Sequence, residues 1–357
     1  MTIPIPRTTK SEIDHGVTEH STVHVACCVD DEYVKGAAVT LVSAARNLGE
    51  RRTLHVELVD GGISEVGFEN LQRTCEVAGV RLRRHRLDLK RLSQLPVSHH
   101  ISHAAYIRLL LAEVLPKDLD RVLYLDGDLL VLDDIGRLYD ESLEGHWAAA
   151  VPDIACPYID ATRVVPNLRQ CGPYMATYRP VPNYRELRLR PDQPYFNSGV
   201  MLIDLDQWRR QDLASQFLGC LDEHSESVWC WDQYALNVVL AERWKVLPLR
   251  WNCGGHLYEY HSSNATPFPE DESRAAFAQP AIVHFTTKDK PWHRGYEHPH
   301  RATFYEYLDQ TAWEGWRPTA DRNRLASWWS SQCEGVQKQA IIAFRKWQLR
   351  LGWESPS

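Results

Sequence analysis

The feature that most constrains this chain is an alternation of apolar runs and helical spacings in its first quarter. Val23 to Val29 is a near-continuous apolar run closed by Asp30 and Asp31, as a strand buried on both faces reads. Helical spacing follows, with Ala38, Leu41, Val42, Ala45 and Leu48 three and four residues apart and Gly49 at the end. Leu54 to Val59 is a second strand, Ser64 with Glu65 behind it opens a second helix, and Val80 to Leu87 is a third strand. Parallel neighbours need a crossover, so a βαβαβ order implies a mostly parallel sheet flanked by helices. The fold class expected is α/β.

Further along, the spacing predicts a helix from about Ser102 to Leu115, stopped by Pro116, and a strand over Arg121 to Leu125. From Asp153 to Pro194 the pattern fails. Pro152, Pro157, Pro166, Pro173, Pro180, Pro182, Pro191 and Pro194 fall in or beside this stretch, and so long a structureless segment is usually a lid or binding loop. Order returns with a strand at Tyr195 to Leu205, helices at Gln207 to about Cys220 and Asp232 to Leu240, and a last strand at Ala281 to Phe285. Beyond Thr303 the chain reads as helical, then basic and aromatic. No G-x-G-x-x-G follows the first strand and no P-loop is present, so dinucleotide and P-loop readings lack their key feature.

Composition excludes several classes. With 44% hydrophobic and 24% charged residues, the 357-residue chain is neither disordered nor collagen-like, and its length suits one large domain with appendages or two domains. No apolar stretch approaches the roughly 18–20 residues that span a membrane. Met1 to Ser21 is rich in Pro, Thr and charge without an apolar core, so it reads as a loose tail rather than a secretory signal. Nine Cys without a C-x-x-C pair suit reduced thiols in a cytoplasmic protein. A net charge of −7 argues against general nucleic-acid binding.

Three constellations could carry chemistry. In Val122-Leu123-Tyr124-Leu125-Asp126-Gly127-Asp128, two carboxylates one residue apart leave the carboxyl end of a buried strand, where open α/β sheets bind ligands. Alternate residues of an extended segment point the same way, so both carboxylates can meet one Mg²⁺ or Mn²⁺. Acidic residues that only solvate a strand end have the same spacing. The second constellation runs from His284 to His293. His284, at a strand end, could complete a metal's ligands or simply be a packed histidine, and Lys290, braced by Pro291-Trp292, could meet a phosphate. His293, His298 and His300 read as surface residues. Third, Asn197 and Gln233 offer amides suited to sugar hydroxyls and Asp232 a carboxylate, although Asp232-Gln233 also suits a plain helix N-terminus.

Taken together and in order, Asp30-Asp31-Glu32-Tyr33, His100-Ile101-Ser102 with Tyr106 and Arg108, Leu123 to Asp128, Phe196-Asn197-Ser198-Gly199-Val200, Asp232-Gln233 and His284…Lys290-Pro291-Trp292-His293 resemble glycosyltransferase family 8. The resemblance covers roughly Val23 to His293. It implies a GT-A fold and retaining transfer of glucose or galactose from a UDP-hexose donor, with Mn²⁺ or Mg²⁺, to a glycan or lipid-linked acceptor. It implies Asp126, Asp128 and His284 as metal ligands. Lys290 would meet the diphosphate, Arg108 and Asp153 the donor's phosphate or sugar region, Asp30 and Tyr33 the uridine, and His100 the donor. Asn197 and Asp232 would hold the sugar, with Gln233 next to the anomeric carbon and catalysis assigned to Gln233 and Asp232. Glu32, Tyr234 and Thr286-Thr287 depart from the family's usual residues. Two other readings remain: a haloacid-dehalogenase-like phosphatase, which would want its D-x-D on the first strand, and a sugar-nucleotide-binding protein without turnover.

The expected organisation is a flexible tail (1–21), a catalytic domain (22–303) with an acceptor lid at 154–194, and a helical C-terminal region (304–357). Between Arg322 and Trp353, six basic residues stand against one acidic, and Val336, Ala340, Phe344, Trp347 and Leu351 form a helical stripe. That pattern suits a helix in the interface of an anionic membrane, and equally a stripe packed on the catalytic body. The expected location is the cytoplasm, with peripheral contact at the membrane's inner face.

Overall fold

The computed structural model describes residues 21–87, 103–164, 167, 181–228, 230–287 and 289–318. The chain opens with β1 (Ser21–Val29), α1 (Val34–Arg46), β2 (Arg52–Asp60), α2 (Glu65–Ala78) and β3 (Arg81–Arg86). The Ser64 hydroxyl accepts from Gly67 N to cap α2, and Gly79 closes it at φ 72°, in the left-handed region that a residue without Cβ adopts freely. β1 pairs parallel with β2, and β2 with β3, as the alternation predicts.

A 3₁₀ helix over His103–Leu110 leads into α3 (Leu111–Val114), followed by β4 (Arg121–Leu125), β5 (Leu129–Val131), α4 (Ile135–Tyr139) and β6 (Ala148–Pro152). Then come β7 (Phe196–Asp204), α5 (Leu205–Arg210), α6 (Leu213–Glu223), α7 (Asp232–Val239), β8 (Trp244–Val246) and β9 (Cys253–Gly254). The described chain ends with α8 (Glu270–Ala278), β10 (Ile282–His284) and α9 (Arg301–Leu308). The main sheet has the order β3-β2-β1-β4-β7-β6-β8, with β7 antiparallel to β4 and β6 and the other pairs parallel. A second sheet, β5-β10-β9, stands beside it. The molecule is α/β, as its sequence implies.

Apolar layers cover both faces of the main sheet. Leu41 of α1 and Leu71 of α2 pack with Val25 and Leu58 on one side, while Ile107, Leu110, Trp208 and Phe217 pack with Tyr124 and Met201 on the other. A third cluster joins Val39, Leu130, Phe285 and Trp292 to Phe304 and Leu308 of α9. The expected boundary at residue 303/304 therefore falls inside a helix packed on the body.

Two expected helices take another form. The segment expected as one helix from Ser102 is wound as 3₁₀ over His103–Leu110 before a single turn of α3. Tyr106, Ile107, Leu109, Leu110 and Leu111 are all fully buried, so no apolar stripe opposes a wet face. The helix expected over Gln207–Cys220 is split into α5 and α6 by Asp212, a residue type that tolerates the left-handed φ of 49° it adopts there. His298 and His300, expected at the surface, are half-buried instead. The His298 ring stacks on Tyr296 and meets Tyr258 and Phe285 edge-on, and burial drives its pKa down to about 3. Among the described residues the cysteines are unbridged. His100, residues 1–20 of the expected 1–21 tail, residues 165–166 and 168–180 of the expected 154–194 lid, and the basic stretch from Arg322 lie outside the described residues, whereas Ser21 opens β1.

Candidate functional site

The acidic pair sits where the chain leaves one sheet for the other. Asp126 follows β4 and Asp128 precedes β5, so Gly127 is the corner between the two sheets. Backbone ladders hold both sides of that corner. Asp126 N donates to Gly199 O at 2.9 Å from β7, and Phe285 N donates to Asp128 O at 3.1 Å from the end of β10. The buried Thr40 hydroxyl of α1 pins the corner from below, donating to Leu129 O at 3.0 Å and accepting from Leu129 N at 3.1 Å. Gly36 is required here, because a Cβ would lie 2.3 Å from Gly127 O and 2.5 Å from the Trp292 ring.

The antiparallel register of β10 on β5 sets His284 opposite Leu129, next to the acidic pair. One ligand atom from each of Asp126, Asp128 and His284 falls within 4.8 Å of the other two. His284 Nε2 lies 3.2 Å from Asp128 Oδ1 and 3.8 Å from Asp126 Oδ2. A Cβ on Gly199 would come within 2.3 Å of His284 Cε1 and 2.8 Å of Asp126 Oδ2, so the missing side chain keeps this space open. Two carboxylates and an imidazole facing a kept gap fit a divalent cation.

Charges are packed tightly around the trio. Lys290 Nζ donates to Asp128 Oδ2 and to Phe285 O, each at 2.7 Å. Burial opposes the charge on Asp128, but Lys290 and His284 outweigh it and hold its pKa well below the usual carboxylate value. The 3₁₀ winding delivers the buried Arg108 between two acids, with Nη1 3.0 Å from Asp126 Oδ1 and Nε 3.0 Å from Asp232 Oδ2. Tyr124 OH donates to Asp126 Oδ1 at 2.6 Å. Asp232 behaves oppositely to Asp128: burial is the largest influence and, with Asp126 nearby, raises its pKa to about 6 against the pull of Arg108.

Facing this wall is one made of amides. The backbone turns into α7 through Cys230 and Trp231 at φ 56° and 50°, a strained pair that aims Asp232 and Gln233 into the cleft. Gln233 Oε1 accepts from Ser198 N at 3.1 Å and its Nε2 donates to Asp153 Oδ2 at 3.0 Å. Asn197 Nδ2 donates to the same oxygen at 3.0 Å. At the nucleotide end of the expected site, Asp30 Oδ1 accepts from Glu32 N and Tyr33 N at 3.2 Å, and the Tyr33 ring packs edge-on against Trp292 beneath Lys290 Nζ.

The two walls enclose one cleft of about 340 Å³. It gathers Asp30, Tyr33, Arg108, Asp126, Asp128, Asp153, Asn197, Asp232, Gln233, His284 and Lys290; His100 alone of the expected site residues is not described. The sequence had not singled out Asn252 or His256, which also line it. Cys28 and Cys230 reach the cleft too, but burial pushes both thiols up to about 12, so neither is a thiolate nucleophile at neutral pH.

The family model for glycosyl transferase family 8 matches residues 24–295. The chain belongs to that family. General stress protein A of Bacillus subtilis is 28% identical over 294 residues, covering 82% of this chain and 94% of the relative. A lipopolysaccharide 1,2-glucosyltransferase of Escherichia coli K12 is 25% identical over 292 residues, covering 82% and 79%. Among solved structures, the galactosyltransferase LgtC in complex with donor and acceptor sugar analogues superimposes with a TM-score of 0.66 at 24% identity, covering 84% of this chain and 98% of that one. The fold is thus the GT-A arrangement expected, and the protein is a glycosyltransferase. Family 8 membership leaves the phosphatase reading without support; the D-x-D also follows the fourth strand in chain order rather than the first.

Proposed function

We propose that this cleft transfers a hexose, glucose or galactose, from a UDP-sugar to a glycan or lipid-linked acceptor with retention of anomeric configuration. The observation that carries the proposal is the meeting of two unlike walls at the strand ends. One wall, Asp126, Asp128, His284 and Lys290, suits a diphosphate and its cation; the other, Asn197, Asp232 and Gln233, suits a sugar. Asp126, Asp128 and His284 would hold Mn²⁺ or Mg²⁺, which when bound neutralises charge on the departing UDP.

The remaining roles fall to the chain's own groups. Lys290 swings from Asp128 to the diphosphate, adding fixed positive charge where negative charge develops. Asp30 and Tyr33 hold the uridine, and the Arg108–Asp232 pair together with Asn197 orients the sugar. Gln233 lies beside the anomeric carbon. Its amide is a poor nucleophile, and both its ends are engaged by Ser198 N and Asp153. The acceptor hydroxyl therefore attacks the anomeric carbon on the face that the phosphate leaves. The bond from that carbon to the β-phosphate oxygen breaks, and the departing phosphate takes the acceptor's proton.

The test is UDP release from UDP-glucose and UDP-galactose with Mn²⁺ and no acceptor, followed by the anomeric configuration of transferred sugar. Inverted product or a trapped sugar adduct on Asp232 or Gln233 would overturn same-face attack, and UDP binding without transfer or hydrolysis would favour a silent binding protein. Relatives named as lipopolysaccharide glucosyltransferases support a lipid-linked acceptor. The basic, Trp-rich stretch from Arg322 to Trp353 supplies the chemistry for contact with anionic lipid. Removing Arg322 to Ser357 abolishes binding to anionic liposomes on this reading; unchanged binding contradicts it. No helix among the described residues is long and apolar enough to cross a membrane.

A further inference from the structure

Between the two walls runs a continuous chain of side-chain hydrogen bonds. His284 Nδ1 lies 2.9 Å from Asn252 Oδ1, Asn252 Nδ2 lies 2.9 Å from Asn197 Oδ1, and Asn197 Nδ2 lies 3.0 Å from Asp153 Oδ2. Gln233 Nε2 reaches that same Asp153 oxygen. Asn252 is the middle link and only 2% exposed, so neither end of its amide is satisfied by bulk water.

The direction of this chain is fixed by backbone groups, whose donor and acceptor roles are not open to choice. Ala155 N and Cys156 N both donate to Asp153 Oδ1, at 2.7 and 3.2 Å, so Asp153 is the acceptor end. Gly199 N donates to Asn197 Oδ1 at 3.0 Å, so that atom is the oxygen and the Asn197 NH₂ faces Asp153. Asn252 must then present its NH₂ to Asn197 and its oxygen to His284. That oxygen needs a donor, which places the imidazole proton on Nδ1. That leaves Nε2, 3.2 Å from Asp128 Oδ1 and 3.8 Å from Asp126 Oδ2, as the nitrogen turned toward a cation between the two carboxylates.

We propose that Asn252 is a positioning residue that presets the tautomer of His284 for cation binding and sets the Asn197 amide by the same two bonds. This rests on the reading of Asp126, Asp128 and His284 as a cation site. It adds that the imidazole is oriented before any ion arrives, by Asn252 at the end of the short 3₁₀ turn Leu249–Asn252 that precedes β9. Asn252→Leu removes both bonds. Asn252→Asp keeps an acceptor for Nδ1–H but sets two oxygens against each other at Asn197.

The experiment is a long-range ¹H–¹⁵N spectrum of the cation-free full chain above pH 8, with the His284 signals assigned by their loss in His284→Gln, alongside Mn²⁺ titration followed by electron paramagnetic resonance. Wild type shows the Nδ1–H tautomer, and so does Asn252→Asp. Asn252→Leu shows a mixture or the Nε2–H form and binds Mn²⁺ about 10–100-fold more weakly. Asn252→Asp binds Mn²⁺ within a few-fold of wild type, yet raises KM for a UDP-sugar because Asn197 has lost its orientation. An Nε2–H tautomer in wild type, or unchanged tautomer and Mn²⁺ affinity in a folded Asn252→Leu, overturns the proposal. If Asn252→Leu does not fold, loss of the Nδ1–H form or of Mn²⁺ affinity in Asn252→Asp overturns it. Absence of Mn²⁺ binding by wild type would overturn the cation reading itself, and a preset tautomer would still separate that failure from this one.

Discussion

The two walls of the cleft are built by different means. The acidic wall is placed by backbone: Asp126 is carried by the β7 ladder, Asp128 by the end of β10, and His284 by register against Leu129. The amide wall starts from β7, which carries Asn197 and Ser198, but Asn197 and Gln233 are oriented through side-chain bonds to Asp153, Asn252 and Ser198 N, behind a strained turn at Cys230 and Trp231. A wall held by ladders fails all at once when an atom intrudes. A wall held by single hydrogen bonds of about 1 kcal/mol each fails by degrees.

The largest effect is expected at Asp128. Asp128→Ala removes a ligand and leaves Lys290 buried without its partner, so sugar transfer falls by about 10³-fold or more and Mn²⁺ affinity is lost. Steady-state rates and Mn²⁺ titration measure both; retention of either would separate the acidic pair from catalysis. Next is Gly199→Ala, whose Cβ would press 2.3 Å from His284 Cε1. It costs about 1–3 kcal/mol of stability, read from denaturant unfolding, and it weakens Mn²⁺ binding although no ligand is altered. A variant with wild-type stability and affinity would show that the ladders leave more slack than their geometry implies.

On the amide wall the effects are smaller and divide between parameters. Asp153→Asn takes the shared acceptor from Asn197 and Gln233, lowering kcat by about 10-fold or more while Mn²⁺ affinity stays near wild type. Equal loss of kcat and Mn²⁺ binding would mean the two walls are one cooperative unit. The mildest effect is on pH dependence. Asp232, raised from 3.8 to about 6 by burial, keeps its proton in the folded state over a range where the unfolded chain has released it. Its contribution to stability is therefore greatest below pH 4 and is lost as the pH rises through 6. Activity runs the other way, with kcat/KM rising through about pH 6 as the carboxylate forms to receive a sugar hydroxyl. Asp232→Asn should flatten both trends, and a persistent limb near 6 in that variant would assign it elsewhere.

What the sequence showed follows the same division. Asp126, Asp128 and His284 were legible because each ends an apolar run, and a strand end in an α/β sheet announces where side chains converge. The parallel half of the sheet was legible for the same reason, in the alternation from Val23 to Leu87. Asn252 carried no such signal: it lies in a short turn after Leu249, and only the fold brings it between His284 and Asn197. The 3₁₀ winding around Arg108 was hidden because a segment buried on all sides has no periodicity to betray its pitch. Asp212 split one helical spacing into two helices without interrupting the apolar pattern. Backbone-built positions leave a trace in local pattern; on the amide wall Asn197, Asp232 and Gln233 were marked by residue type and family resemblance, whereas the link that Asn252 makes between the walls left none.

On the function proposed, both walls serve one sugar nucleotide whose diphosphate meets a divalent cation at Asp126, Asp128 and His284. Calorimetric titration of UDP into the full chain, with Mn²⁺ and then with chelator, tests it most directly. Saturable binding is expected with Mn²⁺, weakening at least tenfold on chelation and by the same factor in Asp126→Asn with Mn²⁺ present. Binding of equal strength with and without the cation, or no binding at all, would contradict it.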